Sequence, residues 1–221
     1  MRKCILVSRI LNNSLGDNLY LKKETFKEFL SDISRLKVRK MSHAQVKLMF
    51  EVLLYGGMRV GEVLQITPES LVNGKIRLER TKGGVKRCPC SRWSYRPTKL
   101  LSVDKNCPKC FGLGKFRIPV EAWLQEQVYQ DLVKFAKTKQ PGERLFPITR
   151  AWVWHWVDFL INGRTHTFRH TFLTWLIDSE KFTVRDIMQK ARHKSLAVTT
   201  KYIESNNDVI QSKENKFIER V

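Results

Sequence analysis

Near the C-terminal end stand His166-Thr-Phe-Arg169-His170-Thr171-Phe172, then Ala191-Arg192-His193-Lys194-Ser195 and Thr199-Thr200-Lys201-Tyr202, while Tyr55-Gly-Gly-Met-Arg59-Val-Gly-Glu62-Val63-Leu64 stands far upstream. These residue types suit work on phosphate. A guanidinium stays charged at any working pH, and its planar fork of donors matches phosphate oxygens. A tyrosine hydroxyl, with an ordinary pKa of about 10, becomes a useful nucleophile at neutral pH only when a group such as histidine helps move its proton. Each residue also has a plainer use. Arg59 and Arg169 could be surface or salt-bridged arginines, His166 and His193 core histidines, and Tyr202 a residue of an amphipathic helix. Their order along the chain argues for a joint role, since weak motifs gain weight only when order and context agree. No G-x-x-x-x-G-K-[ST] loop is present, so nothing points to a nucleotide cofactor.

A second constellation is Cys88-Pro-Cys90 and Cys107-Pro-Lys-Cys110, with sixteen residues between the pairs. Four thiolates from two short turns can complete a tetrahedral zinc site, and the intervening SRWSYRPTKLLSVDKN is too polar to form a core of its own. A structural zinc is the preferred reading, with a loop of free thiols as the alternative and Cys4 left out of the ligand set. Arg92, Trp93, Tyr95, Arg96 and Lys99 give this insert a basic and aromatic character that suits contacts with a nucleic-acid backbone.

The elements that must position these groups read as mainly helical with one small antiparallel sheet, an α+β class. Helical spacing of apolar residues covers 22–36, the run after Ser42 up to Gly56-Gly57, 60–66, 121–137, 150–161, 167–178, 184–191 and 195–204. Ser42 is placed to cap its helix, and Gly56-Gly57 to end it. Between Lys75 and Val85 the pattern changes to alternation, with Ile76 and Leu78 on one side and Gly83-Gly84 as a turn, which reads as a β-hairpin. Strand character resumes at 115–120. Phe172 and Trp175 read as core, Glu62 as the partner that orients Arg59, and His170 as a residue just behind the site.

Forty-one lysines and arginines against 21 acidic residues leave a net charge of +20, well past what solubility requires, and imply a polyanionic partner. The basic residues are spread along the chain and no run of about 18 apolar residues exists, which argues against a membrane. The N-terminal stretch has no signal-peptide pattern, and the cysteine usage fits a reducing compartment, so an intracellular protein is expected.

Taken together, the arginine box around Arg59, the hairpin lysine Lys82 in Arg-Thr-Lys-Gly-Gly, His166-x-x-Arg169, His193 and a tyrosine nine positions later resemble the tyrosine recombinase (integrase) family over residues 20–205. The resemblance implies that Tyr202 attacks a DNA phosphorus, leaving a 3′-phosphotyrosyl link and a free 5′-hydroxyl. Arg59 and Arg169 would clamp the phosphate, and Lys82 would protonate the leaving oxygen, with Lys86 as the alternative if the hairpin register is shifted. His166 would assist proton transfer at the tyrosine and His193 would hydrogen-bond the phosphate. No metal is needed for that chemistry, because the phosphotyrosyl bond keeps the energy of the broken strand. The resemblance divides the chain into an N-terminal extension (1–20), a catalytic domain (21–205) carrying the insert at 88–110, and a tail (206–221) that would dock on a neighbouring protomer. It implies double-stranded DNA as partner, with a homotetramer on DNA and a monomer in solution. Three departures stand out: Val63 in place of leucine, Arg192 in place of glycine at a helix start, and only about twenty residues ahead of the catalytic pattern where the family has a helical clamp domain. Either the enzyme is minimal or another protein or protomer supplies the clamp. A type IB topoisomerase and an inactive DNA-binding accessory protein are the alternative readings.

Overall fold

Apolar residues three and four apart become helices in the computed structural model, which describes residues 20–78, 85–93, 99–117 and 119–192. The helices are α1 (Lys23–Asp32), α2 (His43–Tyr55), α3 (Val60–Val63), α4 (Glu126–Ala136), α5 (Arg150–Ile161), α6 (Thr167–Asp178) and α7 (Val184–Ala191). Ser42 caps α2 as expected: its hydroxyl accepts from the Gln45 N–H at 3.2 Å, and the Gln45 side chain accepts from the Ser42 N–H at 2.9 Å. Such a reciprocal cap contributes about 1 kcal/mol.

α2 is the centre of the molecule because almost all of its circumference is apolar, with Val46, Leu48, Met49, Phe50, Val52, Leu53 and Leu54 all buried. Phe29 of α1 meets Phe50 edge-on at 4.8 Å, and Phe168 of α6 lies 5.2 Å from both rings. Fully burying each such ring contributes about 1.5–3 kcal/mol. α7 docks on α6 through Leu173, Ile177, Ile187 and Ala191. The start of the described chain is tied to α6 as well. The Leu21 N–H donates to Thr171 Oγ1 at 2.9 Å, and Trp175 Nε1 donates to the Leu21 carbonyl at 3.0 Å. Phe172 and Trp175 pack half-buried against the core, in line with the sequence reading.

The sheet differs from the expected hairpin. β1 (Leu71–Val72), β2 (Lys75–Leu78) and β7 (Val120–Trp123) form one antiparallel sheet, while β3 (Val85–Arg87) pairs with β6 (Lys115–Arg117). β2 therefore pairs with β7, and β3 does not fold back on it. The partner of Ile76 and Leu78 is an apolar face supplied by Ala122 and Val120, more than forty residues further on, which local alternation could not reveal. The expected helix 121–137 begins only at Glu126. Val120 and Ala122 are buried while Glu121 and Trp123 are exposed, a two-residue period that makes 120–123 a strand, held also by a 2.8 Å Lys75–Glu121 ion pair. The insert has its own hairpin, β4 (Ser91–Trp93) with β5 (Leu100–Val103), which the sequence did not suggest. The helix after Arg59 is also shorter than expected, ending at Val63 instead of near Ile66.

Candidate active site

Arg59 sits at the mouth of α3, in extended backbone that lets Glu62 reach back to it. The Arg59 N–H donates to Glu62 Oε2 at 2.8 Å and Arg59 Nη1 donates to Glu62 Oε1 at 3.0 Å, so Glu62 orients the arginine as its spacing suggested. Glu62 is only 6% exposed whereas the Arg59 side chain is 46% exposed, so the carboxylate is the fixed base and the guanidinium the part that meets solvent. Arg59 lines a cleft of about 490 Å³ together with Glu62, Gln65, Arg150, Thr165 and His166. A larger cavity of about 630 Å³ borders Gln65, Glu69, Arg77 and Arg144. Among the described residues its lining includes no histidine, whereas the smaller cleft brings Arg59, Arg150 and His166 together.

His166 precedes α6 and is exposed at the cleft. Burial, followed by the positive charges of Arg150, Arg169 and Arg59, holds its pKa below the usual histidine value. That shift favours the neutral ring, the form able to accept a proton. His170, one helical turn on, is pushed the same way by burial, then by His166 and Arg169.

Arg169 is buried in α6 and joins three segments. One terminal nitrogen donates to the Gly57 carbonyl at 2.6 Å and the other to the Ala191 carbonyl at the end of α7. In this structure the expected clamp residue thus braces the turn that carries Arg59, while lying close enough to shift His166. Gly57 is required at that turn. Its φ is +53°, and a Cβ there would lie 2.3 Å from the Phe172 ring. Gly57→Ala is expected to cost about 1–3 kcal/mol through backbone strain and overpacking, read as a lower urea midpoint at unchanged slope; an unchanged midpoint would show that the turn is not constrained.

Arg192 closes the C-terminal end of α7, and its φ of +54° is the left-handed conformation that glycine adopts at least cost, which accounts for the residue type it replaces. Its side chain turns inward: Nη2 donates to Glu62 Oε2 at 2.9 Å and more weakly to the Gly57 carbonyl at 3.4 Å. Burial lowers its pKa, Glu62 opposes that shift, and Arg59 adds to it. Glu62 is therefore shared by two arginines, one facing the cleft and one behind it.

Two residues of this site were missed in the sequence. Arg150, the first residue of α5, lines the cleft beside Arg59 and His166 but belongs to no spaced motif. Arg192 was noticed only as an anomaly. Lys82, His193 and Tyr202 lie outside the described residues, as do Cys4, Tyr95 and Arg96. Lys86 is exposed on β3, opposite Phe116.

The four remaining cysteines do converge. Cys88 and Cys107 Sγ are 3.6 Å apart, Cys90 and Cys110 Sγ are 3.4 Å apart, and all four sulfurs lie within 4.8 Å of one another. Backbone N–H groups of Lys109 and Cys110 donate to Cys107 and bring its thiol down to about 7, whereas burial and the neighbouring thiols push Cys90 up. The Cys107–Cys110 turn is followed by Phe111 and Gly112 at φ of +49° and +77°. Beside the cluster the Arg87 guanidinium lies over the Trp93 ring at 5.5 Å.

No sequence family model matches the chain, and no curated protein does. Solved structures do. The XerH site-specific recombinase bound to palindromic difH substrate matches over 92% of this chain with a TM-score of 0.58 at 20% identity. XerA recombinase matches over 90% with a TM-score of 0.60 at 17% identity, and the catalytic domain of bacteriophage HP1 integrase over 84% with a TM-score of 0.55 at 15% identity. The chain spans 55% of the XerH chain, 64% of XerA and 86% of the HP1 domain. Its helix-rich architecture with small antiparallel sheets thus matches the tyrosine recombinase and integrase catalytic fold.

Proposed function

We propose that this chain is a site-specific DNA recombinase that cleaves and rejoins strands through a 3′-phosphotyrosyl intermediate, with Tyr202 as nucleophile. The observation that carries the reading is the cleft in which Arg59, Arg150 and His166 converge on one face of this fold. The net charge of +20 supports DNA as the partner, and the neighbours include XerH in a post-cleavage complex with its difH substrate and the Tn1549 transposon integrase with circular intermediate DNA. No helix among the described residues is long and apolar enough to cross a membrane.

In this reading Arg59, with Arg150 beside it, grips the nonbridging oxygens of the target phosphate and stabilises the charge that builds there. Arg169 acts by holding the Gly57 turn, and so Arg59, in place. Neutral His166 takes the proton of the Tyr202 phenol as the oxygen attacks phosphorus, and Lys82, or Lys86 on β3, gives a proton to the departing 5′-oxygen. His193 would bind the same phosphate. Religation is the reverse: the 5′-hydroxyl attacks the phosphotyrosine and the phenol leaves. Assembly as a homotetramer on DNA, from monomers in solution, with the 206–221 tail docked on a neighbour, belongs to the same proposal, as does action inside the cell, where the DNA lies.

The test is a nicked duplex from which the cleaved fragment diffuses away, trapping any covalent protein–DNA adduct on a denaturing gel. Wild type should form adduct; none across a broad pool of DNA sequences would rule the reading out. Arg59→Ala should slow adduct formation by about 10²–10³-fold, the scale of removing one well-placed charge-stabilising donor. Its stability should change little, since Glu62 keeps Arg192. An unaltered rate would place the phosphate elsewhere.

A further inference from the structure

The cysteine-rich insert has no use in the strand-transfer chemistry, and its packing raises the question of what holds it folded. Among the described residues between Cys88 and Cys110, the buried apolar side chains are Cys88, Cys107 and Cys110 themselves, while Leu101 and, just beyond, Phe111 and Leu113 are exposed. Among the described residues, Val103 and Phe116 are the partly buried side chains, besides Cys90, that pack against the buried cysteines. Hydrophobic burial of that extent is too small to hold a hairpin and two turns in place, and segments of this kind rely on a metal or on disulfides.

The sulfur geometry chooses between these. None of the four cysteines is in a disulfide, and the short pairs at 3.6 and 3.4 Å are far outside the bond length of about 2 Å. A tetrahedron with metal–sulfur bonds of about 2.3 Å has sulfur–sulfur edges of about 3.8 Å. The four sulfurs, all within 4.8 Å of one another, match that scale. A multi-iron cluster would hold its ligand sulfurs further apart, because the metal atoms themselves fill the centre. A set of four thiolates with no oxygen donor selects a borderline or soft divalent ion over magnesium or calcium.

We infer that Cys88, Cys90, Cys107 and Cys110 bind one zinc ion, and that this ion is the structural centre of the insert. Binding releases the thiol protons and leaves the site with a formal charge of −2. Arg87 over Trp93 and Lys109 over Phe116 place cations around it. The ion also acts beyond the insert. Cys88 follows β3 directly and its N–H donates to the Gly114 carbonyl at 2.9 Å, just ahead of β6, so the metal pins the open end of the β3–β6 ladder that carries Lys86. The site is independent of the recombinase reading, and its test reads metal, not DNA cleavage.

The experiment uses the full chain, purified under reducing conditions and supplied with zinc. Elemental analysis should find one zinc per chain, and replacement by cobalt should give the visible absorption of a tetrahedral thiolate site. Cys88→Ser with Cys110→Ser should lose the metal to a chelator that leaves wild type loaded. Cys110→His, which still offers a zinc ligand, should retain it, and so should Cys4→Ser. Hydrogen exchange at the amides of 86–87 and 115–117 should speed up when the metal is removed from wild type. A wild-type chain that holds no zinc, a double serine variant that holds as much as wild type, or peptide maps showing Cys88–Cys107 and Cys90–Cys110 disulfides in the zinc-supplied protein would each overturn the assignment.

Discussion

Tyr202→Phe is expected to abolish the covalent protein–DNA adduct while leaving affinity for duplex DNA within about twofold of wild type. The substitution removes one oxygen and keeps the ring, so whatever packing the residue makes is preserved. In the proposed mechanism the grip on the phosphate comes from Arg59, at the mouth of α3, and Arg150, the first residue of α5. Removing a covalent nucleophile costs on the order of 10⁶-fold in rate where it has been measured in other covalent catalysts. Adduct yield and equilibrium binding, measured on the same DNA, separate the two effects. Loss of binding along with loss of adduct would mean that the tyrosine is structural, and retention of adduct would move the nucleophile elsewhere.

The second large effect is expected at Glu62, and it appears in stability before activity. Its carboxylate is 6% exposed and is shared by Arg59 and by Arg192, whose own side chain is only 18% exposed. Glu62→Ala would leave the Arg192 cation in that setting with the weak 3.4 Å contact to the Gly57 carbonyl and a buried Nε that has no hydrogen-bond partner among the described residues. Breaking a buried pair by removing one member costs about 3–5 kcal/mol, because the desolvated charge that remains has nothing to offset it. Glu62→Gln should cost less, since the amide oxygen can still accept. Urea unfolding of the two variants checks this; a loss below about 1 kcal/mol in the alanine variant would show that Arg192 finds another partner. The same variant should cleave DNA slowly even under conditions where it is folded, since Arg59 loses the side chain that aims it.

How much of this could be read from residues alone depended on how local the cause was. α5, α6 and α7 begin and end where the apolar spacing placed them, at 150–161, 167–178 and 184–191, because each is set by its own periodicity and, for α7, by the Thr183 cap. The Ser42 cap and the pairing of Arg59 with Glu62 are three residues in reach and were equally legible. β7 was not: Val120 to Trp123 becomes a strand because β2 offers a matching edge, and the residues that follow it do carry a helical pattern. For the same reason the alternation at Lys75–Leu78 suggested the right element with the wrong partner. At the site, the spaced motifs identified Arg59 and His166, which line the cleft, and Arg169, which braces the Gly57 turn beside it, but Arg150 reaches the cleft only through the packing of α5. Arg192 shows the reverse case. In the sequence it stood only as an arginine in place of glycine, whereas the structure turns it inward onto a carboxylate that another motif had already claimed.

The most direct test of the central claim is the identity of the residue that carries the DNA. Trapped wild-type adduct, digested with nuclease and protease, should give a single modified peptide whose fragmentation places a 3′-linked nucleotide on Tyr202. A nucleotide found on any other residue, or joined through a 5′-phosphate, would contradict the account.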